Sequence, residues 1–157
     1  MKPTLSIIAV FTALLISCGP GSEQPEQAST PVSVAGQWSG TAMDSQGAVV
    51  VTWTLDQTST NVSGTVSTQA VDPNDGSCNS CHRNKTGTFS GTINGNTLTL
   101  TMFFPSGTAT DPTPICTATL TGTGSNMSPQ AFAAVYSGSD SCEGPFMNGS
   151  LTMAHQP

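Results

Sequence analysis

The densest reactive chemistry in the chain is the segment Cys78-Asn79-Ser80-Cys81-His82. Its spacing is that of covalent haem c attachment. Two thiols reach the two vinyl groups of one macrocycle, and the adjacent imidazole lands on the iron. The same atoms have other uses. A local Cys78–Cys81 disulfide would close a tight turn and stiffen it, adding little through chain entropy because the loop is short. A zinc site would take Cys78, Cys81, His82 and a fourth ligand, but oxidation competes with thiolate ligation outside the cytoplasm. A redox-active dithiol lacks the βαβ context of thioredoxin-like proteins.

The surroundings bear on the choice. The motif lies in a polar stretch, with Asp72-Pro73-Asn74-Asp75-Gly76-Ser77 before it and Arg83-Asn84-Lys85 after it. A haem needs an apolar pocket, c-type cytochromes are commonly helical, and no helical period flanks the motif. Met102, Met127, Met147, Met153 and His155 are available as a distal iron ligand, and none is singled out by spacing. The reading carried forward is a Cys78–Cys81 disulfide with no cofactor. Haem c on Cys78, Cys81 and His82 is the alternative.

Cys116 and Cys142 are expected to form a second disulfide, joining the start of one strand to the loop before the last. Bridging a loop of this length contributes on the order of 3 kcal/mol in the chain-entropy account.

The fifth cysteine, Cys18, has a different setting. Met1-Lys2-Pro3-Thr4 precedes an apolar run from Leu5 to Ile16, then Ser17-Cys18. A basic start, a short greasy core and a small residue at the cut describe an export signal too short to span a bilayer comfortably. Leu15-Ile16-Ser17-Cys18 resembles the lipobox of bacterial lipoproteins. That resemblance implies cleavage before Cys18, acylation of its thiol, and a membrane held through the lipid anchor. Each buried methylene of such an anchor contributes about 0.8 kcal/mol. Gly19 after the cysteine is similar to outer-membrane sorting in Gram-negative lipoproteins. Export also places the remaining four cysteines where disulfides form and persist.

Composition narrows the partners. With Lys2 in the signal, Arg83 and Lys85 are the fixed positive side chains facing nine acidic ones. Such a surface has no electrostatic footprint for nucleic acid. No nucleophile elbow, phosphate loop or spaced carboxylate pair occurs, so no enzyme is expected. Asp72-Pro73-Asn74-Asp75-Gly76 has its glycine one position early for a calcium loop and reads as a turn. His155 reads as an exposed strand-end residue, and the triplets Asn61-Val62-Ser63 and Asn84-Lys85-Thr86 carry no weight in a bacterial lipoprotein.

The elements that must position these groups are strands. Residues 18–34, rich in Pro, Gln, Ser and Glu, cannot build a core and form a flexible linker, with a reach of roughly 20 Å. From Val34 onward apolar residues alternate with hydroxyls: Val49, Val51, Trp53 and Leu55; Leu98, Leu100 and Met102; Cys116, Ala118 and Leu120; Phe132, Ala134 and Tyr136; Leu151 and Met153. Apolar in and hydroxyl out marks antiparallel strands with one wet face. About eight strands are expected, near residues 35–43, 48–57, 61–68, 86–93, 97–104, 115–122, 131–137 and 146–154. Ile93-Asn94-Gly95-Asn96 is a strong hairpin signal, with looser loops at Asp44 to Gly47 and Thr58 to Asn61. Ser39-Gly40-Thr41, Ser63-Gly64-Thr65, Ser90-Gly91-Thr92 and Ser137-Gly138-Ser139 repeat at about hairpin intervals. Glycines inside strands allow the sharp bending and close backbone approach of a small barrel.

Gly36-Gln37-Trp38, followed by up-and-down hairpins, resembles the calycin group of lipocalin and avidin-like barrels. The resemblance implies that Trp38 plugs one barrel end. By the residues alone, Trp38 is a core side chain whose indole N–H bonds backbone. The expectation is therefore all-β: a signal peptide (1–17), a lipidated cysteine and linker (18–34), and one antiparallel up-and-down barrel (35–157). Its expected role is non-enzymatic, binding a small apolar ligand or an envelope partner, in the cell envelope at the outer membrane. The alternative role is monohaem electron transfer.

Overall fold

The computed structural model describes residues 32–71, 84–107 and 116–157. Eight strands follow in order: β1 (Gly36–Asp44), β2 (Gly47–Thr58), β3 (Asn61–Ala70), β4 (Thr86–Asn94), β5 (Thr97–Phe104), β6 (Ala118–Ser125), β7 (Ala131–Asp140) and β8 (Gly144–Gln156). Each pairs antiparallel with its neighbour, and β8 returns to β1, closing the barrel. Closure leaves no unpaired strand edge. No helix occurs among the described residues.

The period-two pattern places the core. Trp38, Val49, Val51, Trp53, Leu55, Leu98, Leu100, Met102, Leu120, Phe132, Leu151 and Met153 all point inward and are buried. The outward positions are mainly Thr and Ser, a hydroxyl wall around an apolar interior and the reverse of a membrane-spanning barrel. The repeated glycines occupy inward positions. A Cβ on Gly40 would run into the Thr152 carbonyl oxygen, and one on Gly64 into that of Thr54. Their missing side chains let neighbouring backbones coil close enough to shut a small barrel.

Boundaries differ from expectation where glycine interrupts a strand. β6 continues through Gly122 and Gly124 to Ser125, and β7 through Gly138 to Asp140. In both, the ladder to the neighbour outlasts the apolar pattern. Cys116 lies two residues before β6 rather than starting it, because Thr117 exchanges hydrogen bonds with Ser141 in the β7–β8 loop. The β1–β2 and β2–β3 loops are tighter than expected: Asp44 pairs with Gly47 and Thr58 with Asn61, leaving two-residue connections. In the β4–β5 hairpin the connecting residues are Gly95-Asn96, with Gly95 at φ 58°.

In an up-and-down barrel the connections alternate between ends. The β1–β2, β3–β4, β5–β6 and β7–β8 connections share one end, termed the mouth. The chain enters at the other end, the base.

Candidate functional site

The base is shut by Trp38. Its indole N–H donates to the Val34 carbonyl at 2.9 Å, and its ring meets His155 edge-on with centroids 5.1 Å apart. His155 is thus half-buried against the plug rather than an exposed strand-end residue. Trp53 lies further in, tilted against Phe89 (4.8 Å) and Phe132 (5.8 Å). Its indole N–H is buried and has no hydrogen-bond partner.

The mouth is shut differently, by polar side chains at the inward phase of their strands. Asp44 ends β1, Lys85 precedes β4 and Asp140 ends β7. Lys85 and Asp140 are 5% and 4% exposed, so both charges are enclosed and must be held by hydrogen bonds. The Lys85 ammonium donates to the carbonyls of Pro105 (3.3 Å) and Cys116, fastening both stems of the β5–β6 connection. Asp140 Oδ1 accepts the backbone N–H groups of Cys142 and Glu143, and Oδ2 accepts Gln46 Nε2 at 3.0 Å. Tyr136 donates its hydroxyl to Asp44 Oδ2 at 2.7 Å. Burial, then the hydrogen bond and charge of Asp44, push the phenol far above its ordinary range, so it stays a neutral donor. Cys116 and Cys142 are disulfide-bonded, with Cα atoms 5.6 Å apart, tying the β5–β6 connection to the β7–β8 hairpin. These groups hold one another and form a plug, within which Gln46 Oε1 is buried without a hydrogen-bond partner. They include no nucleophile–base pair.

Cys18, Cys78, Cys81 and His82 lie outside the described residues. The residues flanking the second group do not: Val71 and Asn84 stand at the mouth, where the Ala70 N–H donates to Asn84 Oδ1 at 3.0 Å. Of the sulfurs and nitrogen available to a haem iron, Met102, Met127 and Met153 are buried in the core. His155 is at the base. Met147 is 63% exposed and lies near the mouth. Among the described residues no group of three His, Cys, Asp or Glu could hold a metal ion.

Two hollows lie on the outer wall among the described residues, along β7. One hollow of about 470 Å³ runs over Ala131, Ala133 and Val135 beside Thr123, Ser125 and Thr152. A second, of about 570 Å³, shares Thr123 and Val135 and continues to Ser137, Asn148 and Ser150. At its upper end β8 bulges: Tyr136 pairs with Gly149 and Gly138 with Phe146, so two residues of β8, Met147 and Asn148, stand opposite Ser137 alone.

The sequence reading passed over both regions. The mouth cluster carries a phase signal, since Asp44 falls in the inward series Trp38, Gly40, Ala42, and Asp140 in the series Phe132, Ala134, Tyr136, Gly138. The groove carries one too: Ala131, Ala133 and Val135 stand in outward positions that elsewhere hold hydroxyls.

No protein-family model matches the sequence, and no curated protein matches it. Among solved structures the chain is similar to a redesigned β-barrel, with 14% identity over 78% of this chain and 91% of that one and a TM-score of 0.50. It is also similar to EF1p2_mFAP2b, solved bound to DFHBI, with 15% identity over 78% of this chain and 93% of that one and a TM-score of 0.56. At these identities the likeness is one of fold: a closed, eight-stranded antiparallel barrel.

Proposed function

We propose that the chain is an exported lipoprotein, anchored through Cys18 in the outer membrane, whose calycin-like barrel is a non-enzymatic binding module. The lipobox-like Leu15-Ile16-Ser17-Cys18 and the hydroxyl-bearing outer wall support export and a water-facing domain on a lipid leash. The observation that carries the binding mode is the filled interior. Trp38, Trp53, Phe89, Phe132, Phe104 and Phe146 are all buried inside the barrel, and the mouth plug closes on itself. A similar barrel is solved with DFHBI, but here the inward side chains take the space an enclosed apolar ligand would need. Recognition of an envelope partner on the outer wall fits this geometry best. Palmitate labelling and fractionation test the anchor: label in the membrane fraction, lost in Cys18→Ala, is expected. An unlabelled cytosolic product overturns it.

The motif Cys78-Asn79-Ser80-Cys81-His82 supports a second reading, a monohaem electron carrier. Expression beside a cytochrome c maturation system would then give a Soret band and a mass gain on the order of 600 Da. A colourless protein, two hydrogens lighter per disulfide, eliminates it.

A further inference from the structure

We infer that the groove along β7 is a binding site for a neutral glycan chain. The inference rests on the proposed function only in expecting an outer-wall partner; the groove itself comes from the described strands.

The two hollows form one trench, because Thr123 and Val135 line both. Its floor is the outward face of β7: Ala131, Ala133 and then Val135, which is 68% exposed. Its walls are the outward hydroxyls of β6 (Thr121, Thr123, Ser125) on one side and β8 (Ser150, Thr152) on the other. Register sets them opposite one another, with Thr123 facing Val135 and Ala133 facing Thr152. The walls are two strand spacings apart, about 10 Å, and the floor from Ala131 to Ser137 runs about 20 Å. A shallow open groove of that length takes one extended chain lying along β7.

Chemistry selects the chain. No residue lining the trench is charged, in a protein with nine acidic residues. An ionic polymer finds no counter-charge there, and nucleic acid is excluded on the same ground. A peptide strand finds nothing to pair with, because β7 is bonded on both sides and closure leaves no edge. A fatty acyl chain would cover the floor but separate the wall hydroxyls from water without giving them partners, which is costly. A pyranose chain matches both surfaces, since its rings present C–H faces to Ala133 and Val135 and hydroxyl edges to the threonines and serines. Each wall hydroxyl both donates and accepts, as a sugar hydroxyl does.

The test titrates the chain, expressed with its own leader and purified in a zwitterionic detergent, with three neutral hexasaccharides: maltohexaose, cellohexaose and the N-acetylglucosamine hexamer. Calorimetry and amide NMR read affinity and location. At least one should bind and shift the amides of Thr123, Ala133 and Thr152. Ala133→Glu, exposed and therefore harmless to folding, should weaken binding at least tenfold. Thr123→Val with Thr152→Val should weaken it about fivefold, and Ser63→Glu on β3, outside the groove, should leave it unchanged. The inference is overturned if none of the three binds, if the shifted amides lie elsewhere, if laurate occupies the groove in their place, or if Ala133→Glu binds as the parent does. Palmitate labelling is read separately, so a failed anchor and a failed glycan site give different results.

Discussion

Tyr136 donates its hydroxyl to Asp44 Oδ2 at 2.7 Å across 92 positions of sequence, joining the middle of β7 to the end of β1. Replacing Tyr136 by Phe leaves a carboxylate oxygen in the mouth short of a donor. The expected loss is about 1–3 kcal/mol, read from urea unfolding midpoints. A double cycle with Asp44→Asn should show coupling between the two sites, and strict additivity would mean the bond contributes nothing.

The same contact sets an alkaline limit. The phenol is raised in the folded state above its ordinary value of 10.0. Stability linked to it is therefore complete below about pH 10 and is lost as pH climbs above that value. Tyr136 is the one tyrosine in the chain, so tyrosinate absorbance near 295 nm reports it without ambiguity. That absorbance should rise together with unfolding. A phenolate signal appearing at pH 10 while far-UV dichroism stays native contradicts the burial argument.

Reduction of Cys116–Cys142 frees the β5–β6 connection from the β7–β8 hairpin. With a separation of 26 residues, the denatured chain gains entropy worth about 3 kcal/mol. A Cys116→Ala, Cys142→Ala double variant should melt lower by a corresponding amount, with the barrel retained by dichroism. Melting unchanged from the parent would show the bond to be redundant with Lys85 and Asp140.

The two tryptophans should respond differently. Trp38→Phe removes a donor from the Val34 carbonyl, whereas Trp53→Phe removes an N–H that has no partner. Both lose volume from a packed core. Trp53→Phe should therefore be cheaper by at least about 1 kcal/mol, measured by guanidinium unfolding. Equal costs would imply that Trp53 finds a partner in solution.

Gly40 and Gly95 make a similar contrast. A methyl on Gly40 meets the Thr152 carbonyl oxygen, and no rotamer relieves it. Gly40→Ala should cost more than about 3 kcal/mol or prevent folding. Gly95 has open space around it but φ 58°, so Gly95→Ala should cost only about 1 kcal/mol. Intact folding of Gly40→Ala at parental stability would show that the strands can separate there without opening the barrel.

Inside and outside were legible along the chain wherever hydroxyls and apolar residues alternate, because a strand turns successive side chains to opposite faces whatever it pairs with. The fold class, the strand count and the burial of Trp38 followed from that local rule; the hairpin at Gly95 followed from Asn-Gly turn chemistry, and the plug role of Trp38 only from the resemblance to calycin barrels. Glycine misled at Gly124 and Gly138, since a residue without a side chain has no phase to read, and only the neighbouring strand shows that the ladder continues. The pairing of Cys116 with Cys142 was legible from where the two fall between strands of a meander, but not the polar plug beside it. Asp44 with Gln46, Lys85, and Tyr136 with Asp140 come from three distant stretches of sequence and meet because closure brings β1 beside β8 and stacks four connections at one end. The groove along β7 likewise needs three strands in register. What neighbours in the chain decide can be read from the chain; what a closed barrel brings together depends on shear, curvature and which ends coincide, and these are properties of the tertiary structure alone.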